Sequence, residues 1–395
     1  MEPSTKNVLN FNDTEVAFRS KSNAELNSAY WLFKIISSNF LTKIGPPVTN
    51  FFLSIGLPVK GIIKATIFKH FCGGETISEC EGTIRQLYTG KVGTILDYSV
   101  EGEEEEPVFD ETCEEIIRTI HRAQGDPKVP ITVFKVTGIG RFGLLEKLDA
   151  GQVLSESERL EFDKVKQRCE RICGIAYEKN VPIMIDAEET WIQDTIDFLA
   201  MDMMRKFNKR SAIVYNTYQM YRHDKLVSMI ADHETARAEG FILGVKMVRG
   251  AYMEKERKRA DEMGYVSPIQ PTKAASDRDY DESLRYCVKH ISEIAFVCGT
   301  HNESSSALLA HLLDENDISH DHPHVYFAQL LGMSDNLSFN LSDAGYNVAK
   351  YVPYGPIKAV MPYLFRRAQE NTSIAGQTSR ELGLIIKEKK RRKLA

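Results

Sequence analysis

The chain has 395 residues, 43% apolar and 27% charged, a balance that allows one large buried core with an accessory segment and excludes a disordered chain. A formal net charge of -5, with basic residues not interleaved with aromatics along one strand or groove, excludes a nucleic-acid footprint. Seven scattered cysteines, an odd number, and the lack of a secretory signal point to reduced thiols, not a disulfide framework.

The first residues, Met1-Glu2-Pro3 with Asp13 and Glu15 soon after, lack the Arg-rich, acid-poor character of an organelle transit peptide, so a bacterial cytoplasmic setting is expected. From Asn27 to Gly74 there is no acidic residue, while Lys34, Lys43, Lys60, Lys64 and Lys69 are spaced among aromatic and aliphatic side chains. Gly45-Pro46-Pro47 interrupts this stretch, which is too broken to span a bilayer. Its composition suits two packed helices with snorkelling lysines, the leading reading, or attachment to an anionic membrane surface.

Short runs rich in β-branched and aliphatic residues then recur at 93–100, 130–138, 181–188, 211–219, 243–252, 294–302, 324–332 and 350–355. Helix-compatible sequence follows most of them, at 155–177, 190–204, 224–239, 280–290 and 303–316. Eight strand-then-helix units predict an α/β protein of the (β/α)₈ TIM-barrel class. The expected organisation is an N-terminal helical arm over 1–90, the barrel over 91–375 and a basic C-terminal tail over 376–395. The acidic run from Glu103 to Glu106 is expected to be a solvated loop. Cys169 and Cys173 lie one helical turn apart without a second pair at finger spacing, so helix packing is expected there and no metal site.

In such barrels chemistry sits at the carboxyl ends of the strands. Polar residues cluster at those positions: Asp97, Lys135, Asp186, Gln219, Arg249 with Tyr252, Thr300 with His301, Gln329 and Tyr351. Along the fifth strand, alternation puts Lys246, Val248, Gly250 and Tyr252 on one side and Met247 and Arg249 on the other. Gly250 leaves the backbone bare beside Lys246 and Tyr252, which suits a flat ligand pressed against the strand; a bulge glycine in an ordinary strand is the plainer alternative. Gly138, Gly140 and Gly143 spell G-x-G-x-x-G after a strand. The long helical pattern that follows, opened by Ser155 and Glu158 at capping-box spacing, replaces the second strand that a dinucleotide-binding unit needs.

Near the C-terminus, Pro362 suits a first helical turn, and Tyr363, Arg366, Arg367 and Glu370 then share one helix face. Two adjacent guanidinium forks beside a carboxylate can grip a small carboxylate ligand, whereas a solvated flank with ion pairs is the bland reading.

Asp97-Tyr98-Ser99, Phe134-Lys135-Val136, Ile185-Asp186-Ala187-Glu188-Glu189, Thr217-Tyr218-Gln219, Val245-Lys246-Met247-Val248-Arg249-Gly250-Ala251-Tyr252, Gly299-Thr300-His301-Asn302, Tyr351-Val352-Pro353-Tyr354-Gly355 and the Tyr363 to Asn371 helix resemble the ordered motif set of the proline dehydrogenases. The resemblance runs from about Asp97 to Ser373 and implies a monofunctional enzyme with a distorted (β/α)₈ barrel that binds FAD non-covalently. It implies oxidation of L-proline to 1-pyrroline-5-carboxylate, the first step of proline degradation to glutamate, with electrons passed to a membrane quinone. Arg366, Arg367 and Lys135 would then pair with the proline carboxylate, Asp186 would support them, and Tyr252, Tyr351 and Tyr363 would wall the ring against the flavin. For the cofactor, the resemblance places Lys246 by the flavin N5 locus, Gln219 at the isoalloxazine edge, Val248, Gly250 and Ala251 along it, and Thr300, His301 and Glu370 at the distal parts. Some family members carry Arg at the position of Lys246 and Leu at that of Met247, which bears on flavin contacts and reduction potential.

Hydroxyproline-preferring members tend to lose the aromatic at the position of Tyr351, so its presence here favours proline. A lyase using Lys135 or Lys246 as a Schiff base would leave the double-arginine helix unexplained, and a non-enzymatic barrel binding a small anion is a third reading. The sequence carries no second long domain to oxidise the product, which implies a separate pyrroline-5-carboxylate dehydrogenase. A quinone acceptor also implies peripheral membrane association, through residues 27–74 and the tail cations Lys387, Lys389, Lys390, Arg391, Arg392 and Lys393.

Overall fold

Eight parallel strands, β1 Gly93–Tyr98, β2 Ile131–Phe134, β3 Ile183–Ile185, β4 Val214–Gln219, β5 Leu243–Val248, β6 Ile294–Gly299, β7 Val325–Leu330 and β8 Val348–Tyr354, close into a barrel in sequence order in a computed structural model of the chain. The structure describes residues 9–36, 67–100, 104–364 and 377–394. Near-continuous burial along every strand matches their apolar, β-branched composition, as parallel strands covered on both faces require. The (β/α)₈ class expected from the sequence is therefore the observed one.

Several strands are shorter than their sequence runs. β2 ends at Phe134 because the backbone tightens into a 3-10 turn over Val136–Gly138, where Thr137 gives its amide and hydroxyl to the Glu188 carboxylate at 3.1 and 2.5 Å. β3 ends at Ile185, and the next residues lead into the Thr190–Phe207 helix. The extra residues carry the polar groups of the site, so the difference is one of role: they look strand-like but serve as the βα loops.

The chain divides into two compact units, Glu101–Ala328 and Met1–Val100 with Gln329–Ala395. In the first unit, the Glu156–Lys179 helix begins with the expected capping box between Ser155 and Glu158 and buries Cys169 and Cys173. A Cβ on Gly140 would fall 2.5 Å from Val165 of that helix, so this glycine of the G-x-G-x-x-G serves close helix packing. The Glu106–Ala123 helix starts within the acidic run that was expected to be wholly loop; Pro107 at its first turn and Glu106 near the positive end of its dipole account for that start.

In the second unit β1 and β8 pair in register from Gly93 with Ala349 to Tyr98 with Tyr354. The Gln377–Arg391 helix, which falls in the segment expected to be a basic tail, buries Leu384 and Ile385 against Ala17, Phe18, Leu26, Ala29 and Phe33. Several of its cations are engaged: Lys389 lies 4.1 Å from the Tyr30 ring centre, Lys387 donates to the Asn12 carbonyl at 2.6 Å, and Arg392 donates to the Phe18 and Lys21 carbonyls at 2.7 and 2.8 Å. Residues 37–66 of the acid-free stretch lie outside the described residues. Among the described residues, no helix is long and apolar enough to cross a membrane.

The helix after β8 differs from expectation. Residues 357–364 are helical, and the Ala359 and Val360 amides both donate to the Pro356 carbonyl. The first turn is therefore set by Pro356, not Pro362, after Gly355 turns the chain with φ +142°.

Candidate active site

In the Glu101–Ala328 unit, strand ends and one strand interior deliver the polar groups. Lys135 follows β2 in an extended conformation, Asp186 follows β3 and is pinned by its amide on the Phe134 carbonyl at 2.9 Å, and Lys246 points from within β5. These three meet. Asp186 accepts from Lys246 Nζ at 2.5 Å through Oδ1 and lies 3.8 Å from Lys135 Nζ through Oδ2. All three side chains are largely buried, so one carboxylate gathers two ammonium groups in a low-dielectric environment.

Glu188 extends this group and was given no role from sequence. Its carboxyl accepts from Thr137, beside Lys135, while its carbonyl accepts from Gln219 Nε2 at 2.7 Å and its amide donates to Gln193 at 2.8 Å. Burial pushes its carboxyl up to about 8, against the pull of the Thr137 hydroxyl and the Lys135 charge. Glu188 thus ties the loop after β2 to the end of β4. The signal was the first acidic residue after Asp186, read only as part of a motif.

Gln219 ends β4 and is buried, and its Oε1 has no hydrogen-bond partner among the described residues. A buried acceptor left over after its own amide nitrogen is bonded suits a ligand N–H, and a flavin ring edge offers one. On this observation the residues present fit the flavin group implied by the sequence resemblance.

The expected alternation holds at Lys246 and Met247, but β5 ends at Val248, so Gly250 and Tyr252, expected to continue it, lie in the loop and at a helix N-cap. Lys246 faces Asp186, whereas Met247 sits under Ser283, and Arg249 turns the same way as Met247. Arg249 is fixed by Asp277 at 2.6 Å, Thr300 at 2.8 Å and Ser305 at 3.0 Å, with its guanidinium 4.4 Å from the Tyr280 ring centre. It is an anchor of the β5 and β6 loops. Gly250 has φ +136°, and a Cβ there would fall 2.5 Å from Tyr221 ring atoms. The bare backbone therefore already accommodates the Tyr221 ring, a reason that the sequence did not reveal. Val248 closes β5 and its carbonyl accepts from the Met220 amide, Ala251 is exposed, and Tyr252 caps the Met253–Met263 helix. Thr300 and the half-buried His301 follow β6, with the Thr300 hydroxyl also accepting the Asn302 amide at 3.1 Å.

In the other unit, Tyr351 on β8 and Tyr363 on the following helix are each 7% exposed, so their rings are packed in place. Tyr363 belongs to an apolar cluster with Phe68, Phe71, Met333, Ile357 and Leu364. Asp97 accepts from the Ser99 hydroxyl at 2.9 Å. Arg366, Arg367 and Glu370 lie outside the described residues.

Against this geometry, residues 80–380 match the sequence model described as proline dehydrogenase. A Dictyostelium discoideum protein named proline dehydrogenase 1, mitochondrial, is 33% identical over 96% of this chain and 74% of its own length. The human protein of that name is 42% identical over 60% of this chain and 40% of its own. A Pectobacterium carotovorum protein named carbapenem antibiotics biosynthesis protein CarD is 34% identical over 84% of this chain and 86% of its own. The structure of proline utilization A from Bdellovibrio bacteriovorus superposes with a TM-score of 0.72 at 20% identity, covering 91% of this chain, which spans 38% of that one. This last likeness shows the shared fold. Matched over most of its length by the family's sequence model, the chain belongs to the proline dehydrogenase family of oxidoreductases.

Proposed function

We propose that the protein oxidises L-proline to 1-pyrroline-5-carboxylate with FAD as its redox group and a membrane quinone as acceptor. The observation that carries this reading is the pairing of Lys135 and Lys246 on Asp186 together with a buried Gln219 oxygen that has no partner among the described residues, in a chain of this family. FAD, when bound, supplies the hydride acceptor that side chains cannot.

The residues then do the rest. Lys135, with Arg366 and Arg367, binds the substrate carboxylate, and Asp186 restrains Lys135 and Lys246 so that both ammonium groups are preorganised. Tyr252, Tyr351 and Tyr363 wall the ring and exclude water. FAD would be held by Gln219 Oε1 accepting a flavin N–H, by Lys246, by the main chain over Val248, Gly250 and Ala251, and by Thr300, His301 and Glu370 towards its distal parts. The substrate amine sheds its proton before or during transfer.

A Schiff-base lyase needs a neutral amine, and a carboxylate 2.5 Å from Lys246 Nζ is an arrangement for holding an ammonium. Retention of Tyr351 supports proline over hydroxyproline. Peripheral attachment to the inner face of the bacterial cytoplasmic membrane would bring the enzyme to its quinone, and a separate pyrroline-5-carboxylate dehydrogenase would take the product. The test is kcat/KM with a dye acceptor across L-proline, hydroxyproline and other cyclic amino acids. L-Proline should lead, and a clear preference for another ring would replace proline in this reading.

A further inference from the structure

At the amino end of β6, away from the groups just described, three side chains converge that the oxidation does not use. His233, from the Lys225–Glu239 helix, is 1% exposed. His290 caps the carboxyl end of the Lys273–Lys289 helix, and Glu293 immediately precedes β6. His233 Nε2 lies 2.9 Å and His290 Nδ1 4.0 Å from Glu293 Oε2, and one ligand atom from each residue lies within 4.8 Å of the others.

We propose that His233, His290 and Glu293 form a structural site for a divalent transition cation of the zinc type, with water as fourth ligand. Metal bonds of about 2.0 to 2.2 Å in a tetrahedral shell put donor atoms roughly 3.3 Å apart, between the shortest and longest separations present. The remaining adjustment falls on His290 and Glu293, the two partly exposed members. Two imidazoles with one carboxylate select a borderline cation over magnesium or calcium, which take oxygen ligands.

The surroundings supply an outer shell. His233 Nδ1 lies 2.9 Å from the Tyr286 hydroxyl, a partner that fixes the ring and leaves Nε2 for the metal. Arg237 donates to Glu293 Oε2 at 2.7 Å through Nη2 and 3.2 Å through Nε. These Arg237 contacts and that of His233 all fall on Glu293 Oε2, so a metal would replace the His233 contact and compete with the Arg237 charge, which lowers its affinity. Bound metal would clamp two barrel helices at the amino ends of the strands, where barrel residues act on stability and not on chemistry.

The test is equilibrium dialysis of the chelator-stripped, flavin-loaded full chain against Zn²⁺, with thermal unfolding followed in parallel. One equivalent should bind and raise Tm, and His233→Gln and Glu293→Gln should each weaken binding at least about ten-fold. Glu293 is 40% exposed in its side chain, so its variant folds even if that of buried His233 does not. His322→Gln with His324→Gln removes another pair of adjacent imidazoles, rings 5.2 Å apart, and should leave binding unchanged. No bound zinc, or binding that survives Glu293→Gln but is lost in the His322/His324 double variant, overturns the site.

Discussion

Two buried clusters of charge, one in each unit, are built from the same residue types and do different things. In the Met1–Val100 and Gln329–Ala395 unit, Asp335 accepts from Lys21 and Lys350 at 2.8 Å each, and fully buried Lys350 also donates to the Met333 carbonyl at 2.6 Å. Glu381, on the C-terminal helix, accepts the Ser334 amide next to them. Burial works against the Asp335 charge, yet the two lysines hold its carboxyl well below the usual range, while burial and the Asp335 charge push Glu381 up to about 7. This cluster ties chain ends to a loop. In the Glu101–Ala328 unit, Asp186 likewise gathers two lysines, but at unequal distances of 2.5 and 3.8 Å, and the same unit holds a buried Gln219 oxygen without a partner among the described residues. The first arrangement is closed on itself, and the second keeps an acceptor for a visitor. Burial alone does not distinguish structural from functional charge; the leftover hydrogen-bonding capacity does.

The comparison breaks most easily at Asp335. Asp335→Ala strands the fully buried Lys350 along with the partly exposed Lys21 and should cost about 3–5 kcal/mol, read as a large fall in Tm or in the denaturant midpoint. Asp186→Ala should cost less stability, since neither Lys135 nor Lys246 is fully buried, while lowering kcat/KM for proline by about 2–4 kcal/mol through loss of the restrained lysines. Equal stability losses in the two variants would erase the distinction.

At the ring wall the expected effect is smaller. Tyr351→Ser should shift the hydroxyproline to proline ratio of kcat/KM upward by roughly ten- to a hundred-fold, because apolar walls discriminate weakly. An unchanged ratio removes Tyr351 from the wall.

The remaining effect is a slope. Glu188 has its folded-state value raised from 4.5 to about 8, so between those values the folded chain holds a proton that the unfolded chain has released. Its contribution is complete below about 4.5 and declines as pH rises towards about 8. Glu188→Gln removes that decline, so the Tm of the variant relative to the parent chain should climb across this window. A difference independent of pH would mean that Glu188 ionises normally.

Much of this was legible beforehand because the eight apolar runs are short and regularly punctuated, and because Lys135, Asp186, Gln219 and Thr300 stand at their ends in sequence. What escaped depends on contacts between distant segments. The bare backbone at Gly250 reflects the Tyr221 ring, Gly140 reflects Val165, and the Arg249 guanidinium lies over the Tyr280 ring, pairings that no spacing rule carries. The acidic run gave no hint that Glu106 opens a helix, since charge is compatible with loop and first turn alike. Net positive charge at the C-terminus likewise concealed Leu384 and Ile385 on the buried face of a helix.

The central claim is that the Lys135, Asp186 and Lys246 group serves a flavin that takes electrons from proline. The most direct measurement is the visible spectrum of the purified protein before and after anaerobic addition of L-proline, repeated with Gln219→Leu. The account predicts flavin absorbance that bleaches with proline in the parent chain, and weakened flavin retention in the variant, which lacks the unsatisfied oxygen. Purified protein that takes up no flavin, or bound flavin that proline leaves oxidised, would contradict it.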